Sequence, residues 1–417
     1  MANPGAKPPP ARLTSLDAYR GFVMLAMASS GLGLSKACAN TEVIGYFDDK
    51  PYAAAWHWLC SQLAFHTNHV EWGGCAFWDL IQPSFMFMVG VALPFSFASR
   101  EAQGQGHFAQ FLHVLKRSAI LILLGIFLAS NWDHQHTNFV FTNVLTQIGL
   151  GYPVVWLLLN RGMGLQVCLA LVLLAGYWYA FFHHDPGLVV PPEGFVPQYD
   201  GLAAHWNKFT NWAAFEDRTI LNWFPQYDAK GNRIPFPEPN AGGYTTLNFV
   251  PSIVTMLFGL MTGKFLRSSA APGKKTGRLI GAGVLCLVIA LALDPQRLWW
   301  LKIEWSICPI VKRIWTPSWV LFGTAWTLWM LAAFYWIIDV KGWKAWAFPL
   351  KVVGMNSIAM YCMAQLLKPW ITKSLKIHIS QDLFASDFGK VGEFAAQLFV
   401  MWLICLWLYR QKLFIKI

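Results

Sequence analysis

Residues 68–79 read NHVEWGGCAFWD, with a histidine (His69) and a glutamate (Glu71) beside a Gly-Gly pair and an aspartate (Asp79) inside the apolar run that follows. An imidazole titrates near neutrality and is suited to moving protons. A carboxylate at the middle of a membrane helix costs roughly 2.5–3.5 kcal/mol on insertion scales unless it meets a partner or water. Asp79 has no opposite charge at helical spacing, so the pattern predicts a polar cavity beside it. Asp17 and Arg20 stand i,i+3, the spacing of a helix-surface pair. A structural ion pair and a functional one are equally open there. Asn356 and Ser357, in the run GMNS, are uncharged polar residues within another apolar stretch, able to hydrogen-bond a ligand or to tie helices together.

The elements carrying these residues follow from composition. With 56% hydrophobic and only 13% charged residues, and a mean hydropathy of +0.40, the 417-residue chain departs from soluble domains, where about a quarter of residues are charged. It reads as an all-α polytopic membrane protein of about ten transmembrane helices, near 18–36, 76–98, 117–131, 141–160, 164–182, 246–266, 278–294, 317–338, 348–371 and 391–410. The period-2 alternation of a membrane barrel is absent. Residues 1–15, rich in proline, read as a disordered cytoplasmic tail, and 16–417 as one transmembrane domain. An Ala-Cys-Ala ending at Ala39 resembles a signal cleavage site, but the first span is expected to be retained.

Lys and Arg resist translocation, and one set of loops collects them, among them Arg100, Lys116, Arg117, Arg161, Lys264, Arg267 and Arg278. The other set takes most of the acids. Both termini are therefore predicted cytoplasmic, and two long loops, about 37–75 and 183–245, external. The net charge of +11 then lies against anionic lipid headgroups, and no nucleic acid is implied. Cys38, Cys60 and Cys75 share the first long loop, where an oxidising compartment would allow a disulfide. The eight cysteines contain no C-x-x-C pair, and His57, His66 and His69 lack a further ligand at diagnostic spacing, so no metal is expected. The 23 tryptophans suit membrane interfaces, and the external ones would also suit stacking on a sugar.

Four blocks, RLTSLDAYRGFVMLAM, HVEWGGCAFWDLIQPSFMFMVG, PIVKRIWTPSWVLFGTAWTL and FPLKVVGMNSIAMY, resemble in order the heparan-α-glucosaminide N-acetyltransferase family and its bacterial relatives. The resemblance implies a multi-pass acetyltransferase, in a bacterial inner membrane, that takes acetyl from cytoplasmic acetyl-CoA and delivers it to a glucosamine-containing glycan or other amino sugar on the external face. It implies His69 as the catalytic histidine, with Asp79 shaping a polar tunnel behind it. His69 would act as general base or carry the acetyl group itself. The donor's phosphates call for cations at the inner face. The candidates are Arg117, Arg100, Lys116, Lys264 and Arg267, with Asp17 and Arg20 of the L-D-x-x-R-G start and Asn356 and Ser357 along the donor's path. Relatives often carry an asparagine soon after R-G, where this chain has Ser29, Ser30 and Gly31, and residues around 40–60 form an insertion. A catalytically silent membrane subunit that binds lipid, pigment or a partner, and a transporter or flippase, are the competing readings; a homo-oligomer or larger assembly stays open.

Overall fold

The apolar runs fold as helices, each bounded by a local stop. The structure, a computed structural model, describes residues 13–130, 136–224, 226–227, 231–234 and 242–415; the tail through residue 12 and His134 lie outside them. Helix α1 (Thr14–Ala28) leads to a short helix-rich insertion that includes α2 (Ala53–His66). Then come α3 (Ile81–Ala102), α4 (His107–Ala129), α5 (Val144–Leu157) and α6 (Met163–His183). After a long connection containing α7 (Trp212–Ile220) follow α8 (Phe249–Leu266), α9 (Pro272–Leu293) and α10 (Pro317–Phe334), the last continuing as a π turn to Val340. The chain ends with α11 (Phe348–Met355), α12 (Ser357–Leu366), α13 (Lys368–His378) and α14 (Asp387–Arg410). Side chains fix several starts: Asn143 accepts from Leu145 and Thr146 at α5, Thr316 from Trp319 at α10, and Ser386 from Gly389 at α14. Among the described residues the extended pairing is limited to Gln226–Tyr227 with Arg233–Ile234 and a bridge between Gly73 and Val311.

Among the described residues seven helices are long and apolar enough to cross a membrane, or eight if the bent pair α11 and α12 counts as one, where about ten were expected. Two expected spans fall short. The first, 18–36, ends as a helix at Ala28 because Ser30, Gly31, Leu32 and Gly33 all take positive φ, from 49° to 67°. At 1.5 Å per residue its helix covers about 22 Å of a hydrocarbon layer near 30 Å. The expected span 141–160 shrinks to the 14 residues of α5, which carries Pro153. The expected span 348–371 bends by 70° at Asn356, between α11 and α12.

Close helix crossings set the bundle's interior. A Cβ on Gly90 of α3 would lie 1.9 Å from the Met256 carbonyl oxygen, and one on Gly259 of α8 would lie 2.1 Å from that of Phe87. Glycine is required at both, and α3 and α8 pack backbone to backbone. A second, smaller core of Trp72, Tyr177, Phe181, Tyr199, Trp206 and Ile314 fastens the connection after α6 to one end of the bundle, with Phe181 and Trp206 stacked at 4.4 Å. The aromatic residues of that connection are thus in part a packed core.

Candidate active site

His69 is positioned by the glycines that follow it. Gly74 N donates to the Ile310 carbonyl at 2.8 Å, and Gly73 bridges Val311 in antiparallel sense, so residues 69–74 lie alongside 310–313. A Cβ on Gly73 would sit 1.9 Å from Tyr199 Oη and 2.2 Å from Arg297 Nη2. Those two side chains form the backing of the turn: Arg297 donates to Tyr199 Oη at 2.9 Å and to Asp294 Oδ2 at 3.0 Å, and the same carboxylate oxygen accepts from Ile310 N at 2.8 Å. Burial pushes the Tyr199 phenol up to about 12, against the pull of Arg297, so it remains an O–H. Arg313 reaches the Val70 carbonyl at 3.0 Å and that of Gly242, and Asn248 donates to the Arg313 carbonyl at 3.3 Å.

This register brings three ionisable side chains together. His69 Nδ1 lies 2.7 Å from Asp79 Oδ1, and Lys312 Nζ lies 3.2 Å from the same oxygen. Asp79 Oδ2 accepts from Ala76 N at 3.0 Å and Val70 N at 3.3 Å. Asp79 is 1% and Lys312 4% exposed at the side chain, whereas His69 is 39% exposed. A carboxylate beside an ammonium only accepts, so the imidazole proton resides on Nδ1 and points at Asp79. The Nε2 lone pair is left free to take a proton or attack a carbonyl. The 3.1 Å between Lys312 Nζ and His69 Nδ1 is then a close approach and not a hydrogen bond.

Two cavities meet behind the histidine. One, of about 280 Å³, is lined by His69, Gln82, Asn143, Tyr244 and Lys312; the other, of about 310 Å³, by Arg20, Arg100, Arg117, Tyr152 and Ser357. Phe85, Val144 and Tyr361 line both, so the two adjoin across these side chains. Among the described residues no Asp or Glu lines either. At the arginine end, Arg117 stacks 4.6 Å from the Tyr152 ring centroid and donates to its hydroxyl at 3.2 Å, and Arg100 Nη2 lies 2.8 Å from His113 Nε2.

The other expected residues are distributed as follows. Arg20, Arg117 and Ser357 line the cavity; Lys116 is exposed and outside its lining, and Lys264 Nζ donates to the Arg161 carbonyl at 2.8 Å. Arg267 donates to the Pro94 carbonyl at 2.6 Å. Asp17 is buried in the first turn of α1, and Asn356 sits at the α11–α12 break, accepting from Ile415 N at 3.1 Å. Glu71 is exposed on a separate cleft with Glu193 and Lys208. His57 pairs with Asp48 at 2.7 Å and His66 accepts from Phe77 N at 3.2 Å, so the three histidines of this region do not converge. Cys38, Cys60 and Cys75 are free thiols; burial, with Cys60 beside it, pushes Cys38 up to about 11.

Lys312 and Tyr244 escaped the sequence reading. Lys312 did leave a signal, since the adjacent cations Lys312 and Arg313 stand in a loop of the set that otherwise gathers acids. A buried lysine needs an acid, and Asp79 was the acid lacking a partner.

Fold and site together define a polytopic membrane protein with a histidine–aspartate–lysine cluster beside one of two adjoining cavities and arginines lining the other. No family model matches the sequence. The human heparan-α-glucosaminide N-acetyltransferase is 24% identical over 98% of this chain and 60% of its own length, and the mouse protein 23% identical over 97% and 60%. The chain is thus similar to heparan-α-glucosaminide N-acetyltransferases along nearly its whole length, and it spans about 60% of the length of these curated relatives.

Proposed function

We propose that this chain is a membrane-embedded acetyltransferase that accepts acetyl-CoA at the arginine-lined end of the cavity and passes the acetyl group, at His69, to an amino sugar on the opposite face. The observation that carries the reading is that the two cavities adjoin, with three guanidiniums and, among the described residues, no carboxylate in one lining and His69 over the buried Asp79–Lys312 pair in the other. A polyanionic nucleotide suits the first end and a slim neutral arm suits the apolar walls between. His69 Nε2 then removes the proton as the acceptor amine attacks the thioester carbonyl, the C–S bond breaks and the departing thiolate takes that proton; or Nε2 takes the acetyl first, releasing the thiolate, and yields it to the amine, whose proton passes to the thiolate. Asp79 holds the ring and offsets the imidazolium that forms in either route. Lys312 fixes Asp79 and keeps the buried carboxylate from standing alone. In this reading the arginine end faces the cytoplasm, as do both termini.

The test is transfer of labelled acetyl from acetyl-CoA to glucosamine or a glucosamine-containing oligosaccharide by purified protein. His69→Ala is expected to lower transfer by about 10²–10⁴-fold with acetyl-CoA binding retained. Acetyl-CoA binding without transfer to any of a panel of amino sugars would move the assignment to a silent family member.

A further inference from the structure

A second pair of reactive side chains sits beside the His69 mouth. Ser30 has φ 49° and opens the run of four left-handed residues that ends the first helix. Only glycine adopts that region without strain, and strained backbone at a nucleophile is a recurrent feature of acyl-transfer sites. Lys368, the first residue of α13, reaches back to it: Lys368 Nζ lies 2.5 Å from Ser30 Oγ. Lys368 has no ion pair among the described residues, and burial alone pushes its ammonium down to about 8. An ordinary surface lysine stays protonated at neutral pH and cannot act as a base; one held like this does so in part.

The pair is also within reach of the cavity. Met27 and Gln365, each three residues earlier on the chain, line the cavity that contains His69. Gly31 packs on Thr67, two residues before His69, closely enough that a Cβ on Gly31 would meet the Thr67 Cβ at 2.9 Å.

We propose that Ser30 and Lys368 form a serine–lysine acyl-accepting pair, Ser30 Oγ the nucleophile and Lys368 Nζ its base, with activated acyl esters or thioesters as the substrate class. Ser30 Oγ bonds to the acyl carbonyl carbon while its proton passes to the neutral Lys368 amine. The bond from that carbon to the leaving oxygen or sulfur breaks, and the leaving group takes the proton from the Lys368 ammonium. Water then hydrolyses the O-acyl serine with the lysine again as base, releasing a carboxylic acid. Serine–lysine pairs carry out such acyl transfer on several unrelated folds. Nothing in this step needs acetyl-CoA or the arginine-lined cavity, so it stands or falls apart from the function proposed above.

The probe is p-nitrophenyl acetate on the purified full chain, followed by peptide mass spectrometry. A burst of p-nitrophenol with one acetyl group on Ser30 is expected. Ser30→Gly, which suits the left-handed backbone and so should fold at least as well, is expected to abolish both. Lys368→Met should slow acylation by about 10²-fold or more, as loss of a positioned base does. Lys368→Arg should be as slow, because a guanidinium keeps the charge but gives up no proton. Acetyl found on Lys368 or elsewhere, an unchanged burst in Ser30→Gly, or wild-type rates in Lys368→Arg would each overturn the proposal.

Discussion

Removing the Lys312 ammonium should expose how strongly the site depends on its buried ion pair. Lys312→Met keeps the apolar stem and deletes the charge. Over the 3.2 Å between Lys312 Nζ and Asp79 Oδ1, Coulomb's law with an effective dielectric of about 20 gives an attraction of about 5 kcal/mol. Deleting the lysine also removes its own desolvation cost, and Asp79 keeps the Ala76 and Val70 amides and His69. The net loss should therefore fall at the lower part of the range for breaking a buried pair, about 3 kcal/mol. Asp79→Asn added to Lys312→Met removes the stranded carboxylate, and the double variant should recover most of that loss. Acetyl transfer should not return with it, because His69 then lacks the carboxylate that orients Nδ1. The assay is thermal unfolding of the purified variants in one detergent, with Lys50→Met as the control for an exposed pair. The reasoning fails if Lys312→Met unfolds no lower than that control, or if the double variant is no more stable than the single.

Three further outcomes follow from the geometry and, where transfer or acetyl-CoA binding is measured, from the proposed function. Gly73→Ala should cost about 1–3 kcal/mol by overpacking and reduce transfer more than acetyl-CoA binding, with relief in the Gly73→Ala/Tyr199→Phe pair; equal loss of binding and transfer would refute the positional role. Arg117→Gln should weaken acetyl-CoA binding about tenfold, the worth of one charged hydrogen bond, and flatten the fall of affinity with salt, measured by calorimetry at several ionic strengths. Burial pushes the Asp217 carboxyl from 3.8 to about 6 despite its bonds from Thr246 N. The native chain thus binds this proton more tightly than the unfolded one, so stability should fall as pH rises through that window and level off above it. Asp217→Asn should remove that component, read as the change in melting temperature between pH 4 and pH 7.

Much of the helical layout was legible because membrane helices need long apolar runs. The stretch 246–266 coincides with the span Thr246–Leu266. The misses share a cause: apolar composition marks residues that prefer lipid or core but says little about whether the backbone stays helical. The run ASSGLGLSKA remains apolar enough to read as span, yet Gly31 and Gly33 permit a left-handed turn that Phe394 and Thr67 pack against. The break at Asn356 is equally silent, since its partner, the Ile415 amide, comes from 59 residues away. In the site, His69 and Asp79 were readable because they are ten residues apart in one motif. Lys312 is 233 residues from Asp79, and the pairing of residues 73–74 with 310–311 brings them together.

The distribution of charge along the cavity also says how a ligand should lie in it under the proposed function. Asp79 and Lys312 cancel, so with a neutral imidazole the His69 end makes no net demand on a ligand's charge. The other end offers Arg20, Arg100 and Arg117 with no carboxylate among the described residues of the lining. A donor with an anionic head and an uncharged reactive tip is therefore drawn head first toward the arginines and leaves its tip at the histidine. The reverse pose would forfeit the guanidiniums and set phosphates beside Asp79. The exposure pattern agrees, since the ring that must meet an acceptor is 39% exposed while the ion pair behind it is sealed from water. A buried pair keeps its strength only where water is excluded. A reacting ring needs the opposite, and placing it at the rim with its orienting charges one layer deeper meets both conditions in one motif.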